Sequence, residues 1–360
     1  MRRPHPPHDL LALTAELVDI GSVSHHEAAI TDYLHEALGG IAGLDVERVG
    51  DNLVARTRLG RPYRLVIAGH TDTVPAADNA RARVEGDTLW GLGASDMKGG
   101  LAVMLELART VPEPAIDVTY VFYAREEVDA QLSGLQELFD LRPDLVAGDA
   151  AVLGEPTGAA LEAGCQGTMR LAVGLAGQRA HTARPWMGRN AVHRLGHLLA
   201  LVDAAPERRP VLQGCEYREA LQAVFVEGGV ATNVVPDHAS ATLNHRFAPD
   251  RTPDEAEAAI RAVLAPVITD GDSVDVVDVA NGARPDLDHP LLAALAGRND
   301  LEIRAKLGWT DVARFAAAGI PAVNFGPGDA TFAHRADEHI ERDYLDAVWF
   351  VLTNLLTQGV

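Results

Sequence analysis

Four short apolar runs, at residues 64–68, 118–123, 150–153 and 321–325, are each flanked by Gly, Pro or charge. Runs this short and this continuously apolar read as strands buried on both faces, the pattern of a parallel sheet. Helical periodicity at 97–111, 291–297 and 311–318 alternates with them. The expected fold class is therefore α/β, with a mainly parallel sheet between helices. Before the first run, leucines and valines recur at helical spacing over 9–20. Ser24-His25-His26-Glu27 has capping-box form and predicts a second helix from Ser24, with strands following at 44–49 and 52–58.

Residues 169–282 have another rhythm. Met169, Leu171, Val173 and Leu175 alternate with period two, as in a half-exposed strand. A helix is expected over 190–202, strands over 220–226 and 239–247, a helix over 254–264 and a strand over 274–279. The order βαββαβ describes a small α+β sandwich inserted into the larger domain. A chain of 360 residues exceeds what one core ordinarily holds. The expected division is 1–168 plus 283–360 for one domain and 169–282 for the other.

Ligands of open α/β sheets gather beyond the carboxyl ends of the strands. There stand Gly69-His70-Thr71-Asp72, Ala124-Arg125-Glu126-Glu127, Gly154-Glu155-Pro156-Thr157 and, past the last run, Ala333-His334. Ser95-Asp96-Met97-Lys98-Gly99-Gly100 opens the helix predicted from Met97. One His or Glu after a strand is ordinarily a solvated loop residue. Two His and three carboxylates from five loops are instead a typical shell for a pair of divalent ions. Two ions with three ligands each need six positions, and five residues fill them if one carboxylate bridges. Such a pair activates water and needs a general base beside it. In Glu126-Glu127 one residue can ligate while the other faces the water. Asp72, two residues after His70, is placed to accept the imidazole N–H.

The net charge of −20 argues against nucleic acid, whose phosphates need a basic surface. Cys165 and Cys215, the only cysteines, exclude a disulfide framework and a CxxC zinc site. The basic start, Met1-Arg2-Arg3-Pro4-His5-Pro6-Pro7, leads into an amphipathic helix and lacks a signal peptide's apolar region. No apolar run approaches the ~20 residues that span a bilayer. The expectation is a cytoplasmic protein with no membrane partner. Gly91-Leu92-Gly93 does not read as a dinucleotide site, since no strand is expected before it and no glycine stands three residues after Gly93.

The strings HTDTVP, SDMKGG, REE, GEPT and AHRADE resemble the co-catalytic zinc peptidases of the aminoacylase, carboxypeptidase G and acetylornithine deacetylase family. GCQGTMRLAV, GQRAHTARPW, ATNVVP, NHRFAPD, GWTDVARF and VNFGPGD extend the resemblance over nearly the whole chain. It implies two zinc ions per subunit, a shell that cobalt or manganese also suits. His70, Asp96 and Glu155 would hold one ion and Asp96, Glu127 and His334 the other, with Asp96 bridging. Glu126 would be the general acid/base and Asp72 the partner of His70. The Asp96-Met97 peptide would be cis. Residues 169–282 would be a lid through which a homodimer forms. His181 would reach the partner subunit's active site and hydrogen-bond the developing oxyanion, with Asn233 a further donor. Arg246 would bind a substrate carboxylate, with Arg184 and Thr310 in the same pocket.

Within the family the desuccinylase branch of actinobacterial type is most similar. It implies N-succinyl-LL-2,6-diaminopimelate as the substrate, whose carboxylates suit a planar arginine. An acetylornithine or acetylcitrulline deacetylase, or a metal dipeptidase, would share the metal centre and differ in the pocket arginines. A non-catalytic member of the fold would lack Glu126 or a ligand, and none is missing.

Overall fold

All four apolar runs become the parallel centre of an eight-stranded sheet. Its order is Leu44–Val49, Asn52–Thr57, Asp117–Tyr123, Arg64–His70, Ala150–Leu153, Ala322–Asn324, Leu161–Ala163 and Ile303–Ala305. Asp117–Tyr123, Arg64–His70, Ala150–Leu153 and Ala322–Asn324 pair in parallel, and the strands flanking this group pair antiparallel. The computed structural model describes residues 5–360, so the first four residues of the basic start lie outside it. Helix Gly99–Thr110 is buried along nearly its whole length. It packs on Arg64–His70 and Asp117–Tyr123 and is covered by helices Leu10–Asp19, Ala28–Gly39 and Arg342–Gln358. That explains why its sequence is apolar nearly all round, Glu106 apart, until its last turn.

Two compact units divide the chain. One takes the residues up to Ala163 with Pro285–Arg304 and Arg314–Val360; the other takes Gly164–Arg284 and Ala305–Ala313. The second unit is a four-stranded antiparallel sheet in the order Ala220–Gly228, His238–Phe247, Gly167–Ala176, Ser273–Ala280. Leu171, Val173, Leu175, Leu243 and Phe247 face helices Ala191–Asp203 and Pro253–Leu264 across its core. Arg194 ties helix to sheet: its guanidinium donates to both oxygens of Asp272, at 2.7 and 2.5 Å, and the pair is almost fully covered. Asp272 also accepts the N–H groups of Ala176 and Thr269.

The predicted capping box does not form. The second helix begins at Ala28, and its preceding Glu27 has helical backbone and makes no side-chain cap. Ser24 and Glu27 turn to loops distant in sequence, as described below. The structure also adds elements that no sequence pattern above announced. Among these are helix Gly134–Leu141, helix Arg342–Gln358 and a small sheet of His339–Glu341, Thr88–Trp90 and Arg83–Glu85. Thr88–Trp90 runs directly into Gly91, against the expectation of no strand there; Asp96 in place of a third glycine still excludes a dinucleotide loop. No helix among the described residues is long and apolar enough to cross a membrane.

Candidate metal centre

His70 is the last residue of its strand, so its ring stands at the carboxyl edge of the sheet with 1% of its surface exposed. Its Nε2 lies 3.1 Å from Asp96 Oδ1. On the other side of Asp96, His334 Nε2 lies 3.4 Å from Oδ2 and 2.8 Å from Glu127 Oε1. One carboxylate thus faces an imidazole nitrogen on each oxygen, the form of a bridge between two ions. Ligand atoms of His70, Asp96 and Glu127 all lie within 4.8 Å of one another. Glu155, directly after strand Ala150–Leu153, is buried, and its charge acts on His70. Nitrogen and carboxylate donors in this proportion suit zinc and similar ions.

Local structure explains the arrangement. Asp96 lies in the turn Ala94–Lys98, and the Asp96-Met97 peptide is cis, as the family resemblance implies. Gly100 must lack a side chain, because a Cβ there would collide with the Gly154 carbonyl beside Glu155. Small residues therefore let two ligand-bearing segments approach closely.

Asp72 has a larger role than the sequence suggested. His70 Nδ1 is 3.0 Å from the backbone carbonyl of Asp72 and 3.5 Å from its carboxylate. The carboxylate instead accepts the N–H groups of Glu126 at 2.9 Å and Glu127 at 3.1 Å, and the Ser24 hydroxyl at 2.7 Å. Glu27, fully buried, accepts the N–H of Arg125 at 3.1 Å, where the backbone is left-handed (φ 61°). The N-terminal segment therefore holds the loop of the two glutamates from below. The spacing of Ser24 and Glu27 fits a helix cap, and nothing local shows partners about 50 to 100 residues away.

Charge follows from these contacts. Burial alone would raise the Asp72 carboxyl, but His70, the Glu126 N–H and Ser24 bring it down to about 2. Burial likewise opposes ionisation of Asp96, and the two imidazoles hold it well below the usual carboxylate range. Burial opposes charge on His70 as well, yet Asp72, Asp96 and Glu155 raise it well above an ordinary histidine. Asp96 and Glu127 raise His334 to about 10. The carboxylates gathered around these two imidazoles thus favour positive charge in their midst. Beneath it, burial lifts the Glu338 carboxyl to about 7 and lowers the Lys98 amine to about 8.

The remaining candidates belong to the second unit. His181, Arg184 and Asn233 are exposed. Ala183 N–H donates to His181 Nδ1 at 3.0 Å, so the neutral ring carries its proton on Nε2. Arg246 is half-buried on strand His238–Phe247, and no hydrogen bond or ion pair engages its side chain among the described residues. Thr310 is buried, in the 305–313 stretch that belongs to this unit rather than to the larger one.

A sequence model of peptidase family M20/M25/M40 matches residues 66–358. A Mycobacterium tuberculosis H37Rv relative, provisionally named succinyl-diaminopimelate desuccinylase DapE, is 48% identical over 337 residues, covering 92% of this chain and 93% of its own. The succinyl-diaminopimelate desuccinylase of Corynebacterium glutamicum is 44% identical over 358 residues, covering 97% and 96%. Among solved structures, Bacillus subtilis YXEP, described as a dinuclear metal binding peptidase of family M20, superposes with a TM-score of 0.71. It is 14% identical and 96% of each chain is covered, so the likeness is one of fold.

Proposed function

This chain belongs to peptidase family M20/M25/M40, and from that premise we propose that it hydrolyses N-succinyl-LL-2,6-diaminopimelate to succinate and LL-2,6-diaminopimelate. The observation that carries the reading is Asp96, with an imidazole on each oxygen, in a chain so similar to a desuccinylase.

Two zinc ions, held by His70, Asp96 and Glu155 and by Asp96, Glu127 and His334, would supply Lewis acidity; cobalt and manganese suit the same donors. Glu126 takes a proton from the attacking water and hands it to the leaving nitrogen. Its N–H rests on Asp72, which fixes the stem that carries the base. The water oxygen joins the acyl carbon, the C–N bond breaks, and both water protons finish on the amine. His181 from a second copy, with its proton on Nε2, donates to the carbonyl oxygen as negative charge develops there. Arg246, with Asn233, Arg184 and Thr310, receives the substrate's carboxylates. A half-buried guanidinium without a partner is costly until an anion arrives.

A homodimer is part of this proposal. Strand Ala220–Gly228 is an edge of its sheet, and Val224, Phe225 and Val226 are exposed in succession, Phe225 to 72%. The register shifts at a bulge between Ala223 and Phe225, and the strand offers these apolar side chains beside an edge row of backbone groups.

The test is amide hydrolysis by zinc-loaded protein, comparing N-succinyl-LL-2,6-diaminopimelate with N-acetylornithine. Strong preference for the succinyl compound, lost with a chelator and regained with zinc, is the expected result. Preference for the acetyl compound would keep the chemistry and overturn the substrate.

A further inference from the structure

Glu338 is 1% exposed, and its Oε1 accepts the N–H groups of both Ser95 and Asp96 at 3.0 Å. Around this contact the same stretch also holds the turn at Ser95 and the chain leading into it at Gly91. The Ser95 hydroxyl donates to the His339 carbonyl at 2.8 Å, and the Gly91 N–H donates to the Glu338 carbonyl at 3.0 Å. Four residues upstream, His334 approaches Asp96 Oδ2. Lys98, the nearby buried cation, directs its Nζ to the Ile20 carbonyl at 2.8 Å. The carboxylate of Glu338 is therefore spent on the backbone of the residue that stands between the two imidazoles. A buried carboxylate is a costly way to satisfy two peptide groups, which points to a requirement for position.

We propose that Glu338 is a positioning residue for the metal centre: it fixes the backbone of Asp96 so that both carboxylate oxygens face ions, and it couples that placement to His334 through one stretch of chain. This rests on the two-metal reading above. Groups behind a metal ligand typically set affinity by about 10–100-fold, although here the hold is on the ligand's backbone.

The test uses the full chain as Glu338→Gln, Glu338→Asp and Glu338→Ala. Zinc affinity is read by competition with a chromophoric chelator, alongside the thermal midpoint of each metal-free protein. Glu338→Gln keeps an acceptor oxygen in place and should bind two zinc ions within about threefold of the wild type, well short of the 10–100-fold range. Glu338→Asp withdraws the acceptor by one methylene. It and Glu338→Ala should weaken at least one site by about 10–100-fold and lower kcat while leaving KM unchanged. Should Glu338→Ala fail to fold, the Gln and Asp pair decides. Folded Asp and Ala variants holding two zinc ions with wild-type affinity would overturn the proposal. A wild-type protein that binds no zinc would instead sink the two-metal reading itself.

Discussion

In the first unit, His70, Asp72, Asp96 and Glu127 each meet a group from a distant part of the chain; the first two are buried and the other two half-buried. In the second, His181, Arg184 and Asn233 lie open, and Arg246 is half-buried with no partner among the described residues. The first arrangement is pre-organised: its geometry is set before any substrate binds. The second is a set of donors still waiting for acceptors. A site of the first kind tolerates little substitution because its members hold one another. A site of the second kind should respond to substitution in turnover and leave the fold alone.

Glu126→Gln should give the largest effect, a kcat loss toward the upper end of about 10²–10⁴-fold, with two zinc ions still bound by elemental analysis. Loss of zinc in this variant would contradict the division between base and ligands. His181→Ala should cost about 10²–10³-fold in kcat and leave both the melting temperature and the zinc content unchanged. Mixing it with Glu126→Gln protein should restore activity through hybrid dimers. No recovery despite proven subunit exchange would break the proposed role across subunits.

The contrast can be sharpened inside the second unit, where Arg194 and Asp272 are buried and interlocked but carry no chemistry. Asp272→Asn should destabilise by about 3 kcal/mol, measured by denaturant unfolding, with kcat preserved below the transition. Arg194 holds the Asp272 carboxyl well below the usual range. Its stabilisation is therefore complete above the unfolded carboxylate pKa of about 4 and is lost as pH falls toward the folded value. Wild-type stability should drop below about pH 4 more steeply than that of Asp272→Asn. Arg246→Lys should have the smallest effect, raising KM for the succinyl substrate about tenfold because an ammonium loses the bidentate fork. An unchanged KM would remove Arg246 from the pocket.

Much of this was legible in the sequence because strand burial and loop chemistry are local. An apolar run ending in Gly69-His70 shows both the strand and the candidate ligand beyond it. The same holds for Leu153 before Glu155, and for the period-two alternation from Met169 to Leu175. What stayed hidden depends on partners far along the chain. Ser24 and Glu27 satisfy a helix-cap pattern, yet their side chains serve Asp72 and the Arg125 peptide. Glu338 sat within a recognised string, but no spacing rule links it to the Ser95 and Asp96 peptides, 243 and 242 residues earlier. The stretch 305–313 joins the second unit because its packing, not its neighbours in sequence, decides where it belongs.

The order of segments has a consequence for how the enzyme is made. The second unit is continuous from Gly164 to Arg284 apart from its short later strip, whereas the first is interrupted there and resumes at Pro285. At ~5–20 residues per second of synthesis, the ribosome spends on the order of 10 s on the insertion. His70, Asp96, Glu127 and Glu155 have all emerged by then; His334 and Glu338 have not. A nascent chain at that stage has an Asp96 with one imidazole at hand, and the grip on its backbone is still missing. The cluster of His70, Asp96, Glu127 and His334 can close only when the last few dozen residues arrive, so its completion is tied to the end of synthesis.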